Sequence, residues 1–141
     1  LAHAKRLGAE VLVDARSNNP GQDVKEKTGG GAHGAVVTAV SARAFEQSIT
    51  MLRPAGAVSF IGLPGGDADL IRLSIGQIVN GEYSIRGSNV GTRQDLNEAV
   101  AFAARGQVKA DIETQPLENI SAIFARMKKG DIRGRVVLAI S

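Results

Sequence analysis

The sequence predicts an α/β chain whose strands run parallel in a sheet built from β-α-β units. Three observations lead there. Apolar runs of strand length alternate with helical stretches along the whole chain. The runs at 34–40 and 57–62 are almost continuously apolar, as parallel strands covered on both faces are. Gly87-Ser88-Asn89-Val90-Gly91 ends a strand-like stretch and leads directly into a long amphipathic helix.

In order along the chain, residues 1–8 read as the last turns of a helix stopped by Gly8. There is no initiator Met, so a fragment of a longer protein is expected. Residues 10–14, Glu-Val-Leu-Val-Asp, read as a short strand, and 23–27 as one or two polar helical turns closed by Thr28 and three glycines. A buried strand follows at 34–40. Ser41 caps a helix in which Ala42, Phe45, Ile49 and Leu52 form one apolar face, and Pro54 and Gly56 stop it. A second buried strand spans 57–62, and 63–67 is a loop. Ile75, Ile78 and Val79 mark a short helix ending at Asn80-Gly81, and 82–87 is a third strand. Thr92 is placed to cap the helix at 93–105, with Asp95 completing a variant capping box. Residues 108–114 read as extended. Asn119 opens a helix with Ile120, Ile123, Phe124 and Met127 on one side, ended by Gly130, and 135–140 is the last strand.

The 141 residues suit one domain or pieces of two. No apolar run approaches the roughly 18 residues of a membrane span, and no signal peptide pattern opens the chain. The net charge of +3 is mild and scattered, and aromatics make up 4%. Neither a basic patch nor a stacking platform for nucleic acid is therefore expected. Cys is absent, which removes disulfides, thiolate nucleophiles and Cys-held metal from these residues. A cytoplasmic protein is the default.

Gly29-Gly30-Gly31-Ala32-His33-Gly34 spells the dinucleotide fingerprint G-x-G-x-x-G, but it follows a helix and enters a strand. A phosphate loop needs the reverse order, so a flexible connection is the better reading. Asp14 ends a strand, yet the fingerprint that should precede a ribose-binding acid by about 20 residues is missing, which favours a turn cap. His33 reads as a solvated loop residue, and neither it nor His3 stands at metal-ligand spacing from another His, Cys or carboxylate. Arg133 reads as a solvated strand-end charge. More informative are the strand ends at 38–40, 61–63 and 88–90. Small residues there would leave main-chain groups free beside apolar side chains, the usual surroundings of a planar cofactor ring.

Six stretches carry a resemblance. They are Lys5-Arg6-Leu7-Gly8-Ala9, Thr28-Gly29-Gly30 with Ala32-His33-Gly34, Val37-Thr38-Ala39-Val40-Ser41, Ile61-Gly62-Leu63-Pro64, Gly87 through Leu96, and Gly130-Asp131-Ile132-Arg133-Gly134-Arg135. In order and spacing the chain resembles the C-terminal part of zinc-dependent alcohol dehydrogenases of the medium-chain dehydrogenase/reductase superfamily, nearest the bacterial and yeast-type NAD-dependent branch. The resemblance implies an incomplete Rossmann-type, doubly wound parallel sheet plus the C-terminal segment of the catalytic domain. Residues 1–89 would be the partial NAD-binding domain and 90–141 the catalytic segment. It implies NAD as cofactor, zinc in the full-length enzyme, a small alcohol or aldehyde substrate, and a homodimer or homotetramer. It also implies residue roles. Thr38 and Val40 would wall the adenosine and ribose, and Ala15 would edge the adenine pocket. Ile61 and Leu63 would contact the nicotinamide. The main chain at Ile61, Ser88 and Val90 would hold its carboxamide, and Arg135 would bind a cofactor phosphate.

The family's zinc ligands and its glycine fingerprint have no counterpart in these residues, so no catalytic residue is assigned and the chain alone is expected to be inactive. The family's sheet order, 3-2-1-4-5-6, makes the strand at 10–14 number 3 and leaves it without neighbours. Strand 4 would then expose an apolar edge, and the chain alone is expected to be poorly stable. Two other readings stand beside this one: a zinc-free quinone-reductase-like member using NADPH, and a non-catalytic nucleotide-binding or oligomerisation module pairing edge strands across a twofold axis.

Overall fold

The computed structural model describes residues 1–140, with backbone alone at Asp67 and Ala68. The chain divides after Val90 into two compact units. The first opens with α1 (Ala2–Arg6) and α2 (Pro20–Thr28). The helix predicted over 23–27 in fact starts at Pro20. Asn19 accepts the Gln22 N–H, and Pro20 sits in the first turn, where its missing N–H would have no helical partner in any case. The glycine run behaves as a helix-to-strand connection. Gly29 caps α2 in the left-handed region, Gly30 and Gly31 also have positive φ, and β1 (Ala32–Val37) follows at once. His33 therefore lies in a strand, not in the loop the sequence suggests, where its ring meets the Arg53 guanidinium.

α3 (Ala42–Thr50) starts at its Ser41 cap, as predicted. β2 (Leu52–Phe60), α4 (Ile75–Gly81) and β3 (Ser84–Gly87) complete the unit, with a 3-10 turn at Gly66–Asp69. β1, β2 and β3 lie side by side in that order, all parallel. β2 begins five residues before the predicted strand at 57–62. Ala32 pairs with Leu52 and Gly34 with Ala57, so residues 53–56 bulge out of the ladder. Pro54, which has no N–H to give, and Ala55, at a φ of 59°, interrupt the pairing without ending the strand. β1 ends at Val37, which leaves Thr38, Ala39 and Val40 beyond it.

Residues 10–14 form no strand. An isolated segment has no ladder to satisfy its amides, and this one takes other partners. Lys27 Nζ donates to the Leu12 carbonyl at 2.9 Å, and the Asp14 carboxylate caps the next turn by accepting the Arg16 N–H at 3.0 Å.

α3 packs on one face of the sheet. Val37, Phe45, Ile49, Leu52 and Val58 are buried together, flanked by Ala35, Phe60, Ile71, Tyr83 and Ile85. The Phe45 and Phe60 rings meet edge to face at 4.8 Å. The opposite face carries Gly34, Val36, Ala57, Ser59, Ser84 and Arg86, with Val36 66% exposed.

The second unit contains α5 (Arg93–Ala104), β4 (Ile112–Pro116), a 3-10 turn at Leu117–Asn119, α6 (Ile120–Lys129) and β5 (Arg135–Ala139). The predicted capping box of α5 is formed: Thr92 Oγ1 accepts the Asp95 N–H, and the Asp95 carboxylate accepts the Thr92 N–H. β4 and β5 pair in parallel, with α6 as their crossover. Ile123 is buried, while Phe124 and Met127 of the same predicted face are about half exposed. At Gly134 a Cβ would lie 2.1 Å from the Asp111 carbonyl oxygen, which accepts the Arg135 N–H at 2.9 Å. Only glycine permits that start to β5. The Arg126 guanidinium grips Glu113 with two bonds of 2.8 Å, and with Gln115 it lowers the Glu113 carboxyl to about 2.

Candidate functional site

Parallel strands bring their carboxyl ends to one edge of the sheet, and in the first unit that edge is shaped by three backbone bonds. Ile61 and Gly62 both donate to the Val37 carbonyl, at 3.0 and 2.9 Å, folding the chain over the end of β1. Gly62 makes this approach possible, since a Cβ there would fall 1.9 Å from the Ala39 carbonyl oxygen. On the other side Ser88 donates to the Phe60 carbonyl at 2.9 Å and extends the β2–β3 ladder by one residue. Between these segments lies a cavity of about 480 Å³. Phe45, Phe60, Ile61, Gly62, Leu63, Pro64, Asp69, Ile71, Gly87, Ser88 and Asn89 line it.

The ladder bonds fix which main-chain groups stay available. The N–H groups of Ile61 and Ser88 are spent inside the sheet. Among the described residues no backbone donor is turned to the carbonyl oxygens of Ile61 or Ser88, and the Val90 N–H has no backbone acceptor. Ile61 and Ser88 thus bring two acceptors to the cavity, while Val90, two residues past Ser88 with one unspent donor, lies outside the lining. Val90 holds a φ of 44° with its side chain 91% exposed, an uncommon conformation for a β-branched residue.

Of the residues the resemblance points to, Ile61, Leu63 and Ser88 line the cavity. Thr38 and Val40 lie exposed just past β1, outside the lining. Ala15 sits in the turn after Asp14, where its carbonyl accepts Gln47 Nε2 at 3.4 Å. Arg135 belongs to the second unit. It opens β5, donates to the Gly134 carbonyl at 3.2 Å, and lines a separate cavity of about 460 Å³ with Ile120, Ile123, Phe124 and Met127 of α6. The sequence reading includes Asn89 in its strand end at 88–90, but does not single out Phe45, Phe60, Pro64, Asp69 or Ile71 for the site. Phe60 and Pro64 flank a run it does name. Asp69 and Ile71 arrive from a loop that folds back, and a periodic pattern carries no sign of that.

Asp14 is engaged locally. Arg16 holds it with a bidentate pair at 3.0 and 2.9 Å, and these bonds lower its carboxyl to about 2. Among the described residues no group of three or more His, Asp or Glu side chains could hold a metal ion. Nor is any of their helices long and apolar enough to cross a membrane.

A family model described as zinc-binding dehydrogenase matches residues 1–105. An alcohol dehydrogenase of Moraxella sp. (strain TAE123) is 50% identical over 138 residues, covering 98% of this chain and 40% of that protein. One from Rhizobium meliloti (strain 1021) is 48% identical over 141 residues, covering 100% and 40%. The crystal structure of the alcohol dehydrogenase from the archaeon Aeropyrum pernix superposes with a TM-score of 0.88 at 32% identity, over 99% of this chain and 40% of that one. The chain therefore spans about 40% of the length of the curated relatives it matches.

Proposed function

The chain belongs to the zinc-binding dehydrogenase family, and from that membership we propose that it forms the nicotinamide-side wall of an NAD-dependent alcohol dehydrogenase. In this reading residues 1–89 are part of the cofactor-binding domain and 90–141 part of the catalytic domain. The whole protein would oxidise a primary or secondary alcohol to an aldehyde or ketone, as a cytoplasmic homo-oligomer.

The observation that carries the reading is the set of unspent main-chain groups on the two strand ends, Ile61 and Ser88 at the cavity and Val90 two residues on. A carboxamide has two N–H donors and one carbonyl acceptor. The free carbonyl oxygens of Ile61 and Ser88 and the free N–H of Val90 are the matching set. Ile61 and Ser88 are held to the sheet ends by their own N–H bonds to Val37 and Phe60, so ordering their carbonyls costs little when a ring binds. Ile61 and Leu63 would cover one face of the ring and exclude water from it. The nicotinamide, when bound, supplies the hydride acceptor. Thr38, Val40 and Ala15 would border the adenosine end, and Arg135 would pair with a phosphate through its fork of N–H donors.

Zinc is a different matter. The described residues form no group of three or more ligands, and the resemblance puts the zinc ligands in the N-terminal part of the family's enzymes.

The test is to supply the full-length protein with NAD or NADP and a panel of primary and secondary alcohols, to follow the absorbance of the reduced nicotinamide, and to measure zinc content. Turnover with NAD and bound zinc is the expected result. Zinc-free protein that is inactive with alcohols but oxidises NADPH when given a quinone would replace this reading with the quinone-reductase one. Binding of neither nicotinamide would overturn it.

A further inference from the structure

The cavity has one wall that the sheet does not hold. Residues 61–74 leave β2, pass through the 3-10 turn and end at Ser74, the cap of α4. Leu63 and Leu70 on this segment are 83% and 84% exposed, so apolar burial fixes little of it. Two adjacent residues tie its far side down. Ile71 packs against the buried cluster, and the Arg72 N–H donates to Glu46 Oε1 at 2.8 Å. Glu46 follows Phe45 on α3, and Phe45 itself lines the cavity. One turn of α3 thus supplies both a cavity side chain and the acceptor that holds the opposite wall.

We infer that Glu46 is a positioning residue for dinucleotide binding: its carboxylate sets the place of Asp69 and Ile71 at the cavity by holding the Arg72 amide. The inference rests on the proposed function. The geometry fits the task. A carboxylate accepting a backbone N–H makes a charge-assisted bond, stronger than a neutral one. It fixes the segment at the residue next to Ile71, so a small shift at Arg72 passes directly to the lining. Glu46 does not line the cavity, so its effect on a ligand would run through the segment alone.

The experiment compares the full-length protein with Glu46→Met and Glu46→Gln, by calorimetric titration of NADH and steady-state kinetics. Met keeps the length and helix propensity of the side chain but accepts no hydrogen bond, whereas Gln keeps an acceptor oxygen. E46M is expected to weaken NADH binding about threefold to tenfold, with KM for NAD rising in step and kcat changing less than about twofold. E46Q is expected to restore most of the affinity, and the Arg72 amide is expected to exchange hydrogen faster in E46M alone. Glu46→Ala gives the same comparison should Met disturb the fold. Equal dissociation constants in E46M and wild type would overturn the inference, even with a lowered melting temperature, since that pattern belongs to a purely structural residue. Equal weakening in E46M and E46Q would overturn it too. Wild-type protein that binds neither NADH nor NADPH would bring down the proposed function, and this inference with it.

Discussion

At Gly62 the absence of one carbon decides the geometry of the site. A Cβ 1.9 Å from the Ala39 carbonyl oxygen cannot be relieved by a rotamer change, because the obstacle is backbone. Gly62→Ala should therefore destabilise the protein by about 2 kcal/mol or more and weaken nicotinamide binding with it. Gly65→Ala, where nothing lies within 4 Å and φ is ordinary, should stay within about 0.5 kcal/mol of wild type. Denaturant melts of the two variants test the contrast, and equal costs would refute it. Val90 behaves in the opposite way. Its side chain is 91% exposed while its φ is 44°, so the branched carbon brings strain and little packing. Val90→Asn, which tolerates the left-handed region, should raise stability by about 1 kcal/mol and leave NADH binding unchanged, because in the proposed reading only the main chain at 90 would touch the cofactor. Leu63→Ala removes an apolar cover from the cavity without touching the core. It should weaken NADH about tenfold with little change in melting temperature.

At the level of elements, the pairing of β4 with α6 gives the second unit an acid-sensitive contact. Arg126, then Gln115, hold the Glu113 carboxyl down from its ordinary 4.5 to about 2. A group whose folded pKa is depressed stabilises fully above its unfolded value and loses that contribution as pH falls toward the folded one. Between pH 4.5 and pH 2, then, the melting temperature of Glu113→Gln should fall less steeply than that of wild type; parallel curves would refute the role. The same scale shows what could be read from the chain beforehand. Helices α3, α4 and α5 were legible because cap, apolar spacing and stop agree locally: Ser41 before Phe45 and Ile49, Thr92 with Asp95, Asn80-Gly81 at an end. The misread elements are those decided by neighbours. Residues 10–14 have strand composition but no strand to pair with, and β2 runs on through Pro54 because the ladder, interrupted at 53–56, resumes at Ala57. The cavity divides along the same line. Ile61, Leu63 and Ser88 sit at strand ends visible in the pattern. Asp69 and Ile71 depend on a clasp from α3 that no local pattern encodes.

For the whole molecule, exposure is the dominant fact. One face of the β1–β3 sheet is bare, Leu96 and Val100 of α5 are 64% and 59% exposed, and Ile75, Val79 and Ile140 lie largely in solvent. Apolar surface on that scale favours association over a stable monomer. Residues 1–141 expressed alone should therefore bind a hydrophobic dye strongly, self-associate and melt at low temperature. A monomeric, cooperative melt at high temperature, measured by calorimetry and sedimentation, would refute this. The parallel ladders have a further effect, on the time course of folding. Every strand pair here, β1 with β2, β2 with β3 and β4 with β5, is joined by a crossover carrying one α-helix, with a 3-10 turn as well in the last two. Each pairing closes a loop of modest length, and closure entropy grows only slowly with length. No contact within either sheet has to wait for a distant part of the chain. The β4–α6–β5 unit can thus form on its own schedule, as soon as its last strand is available, rather than after the sheet that precedes it.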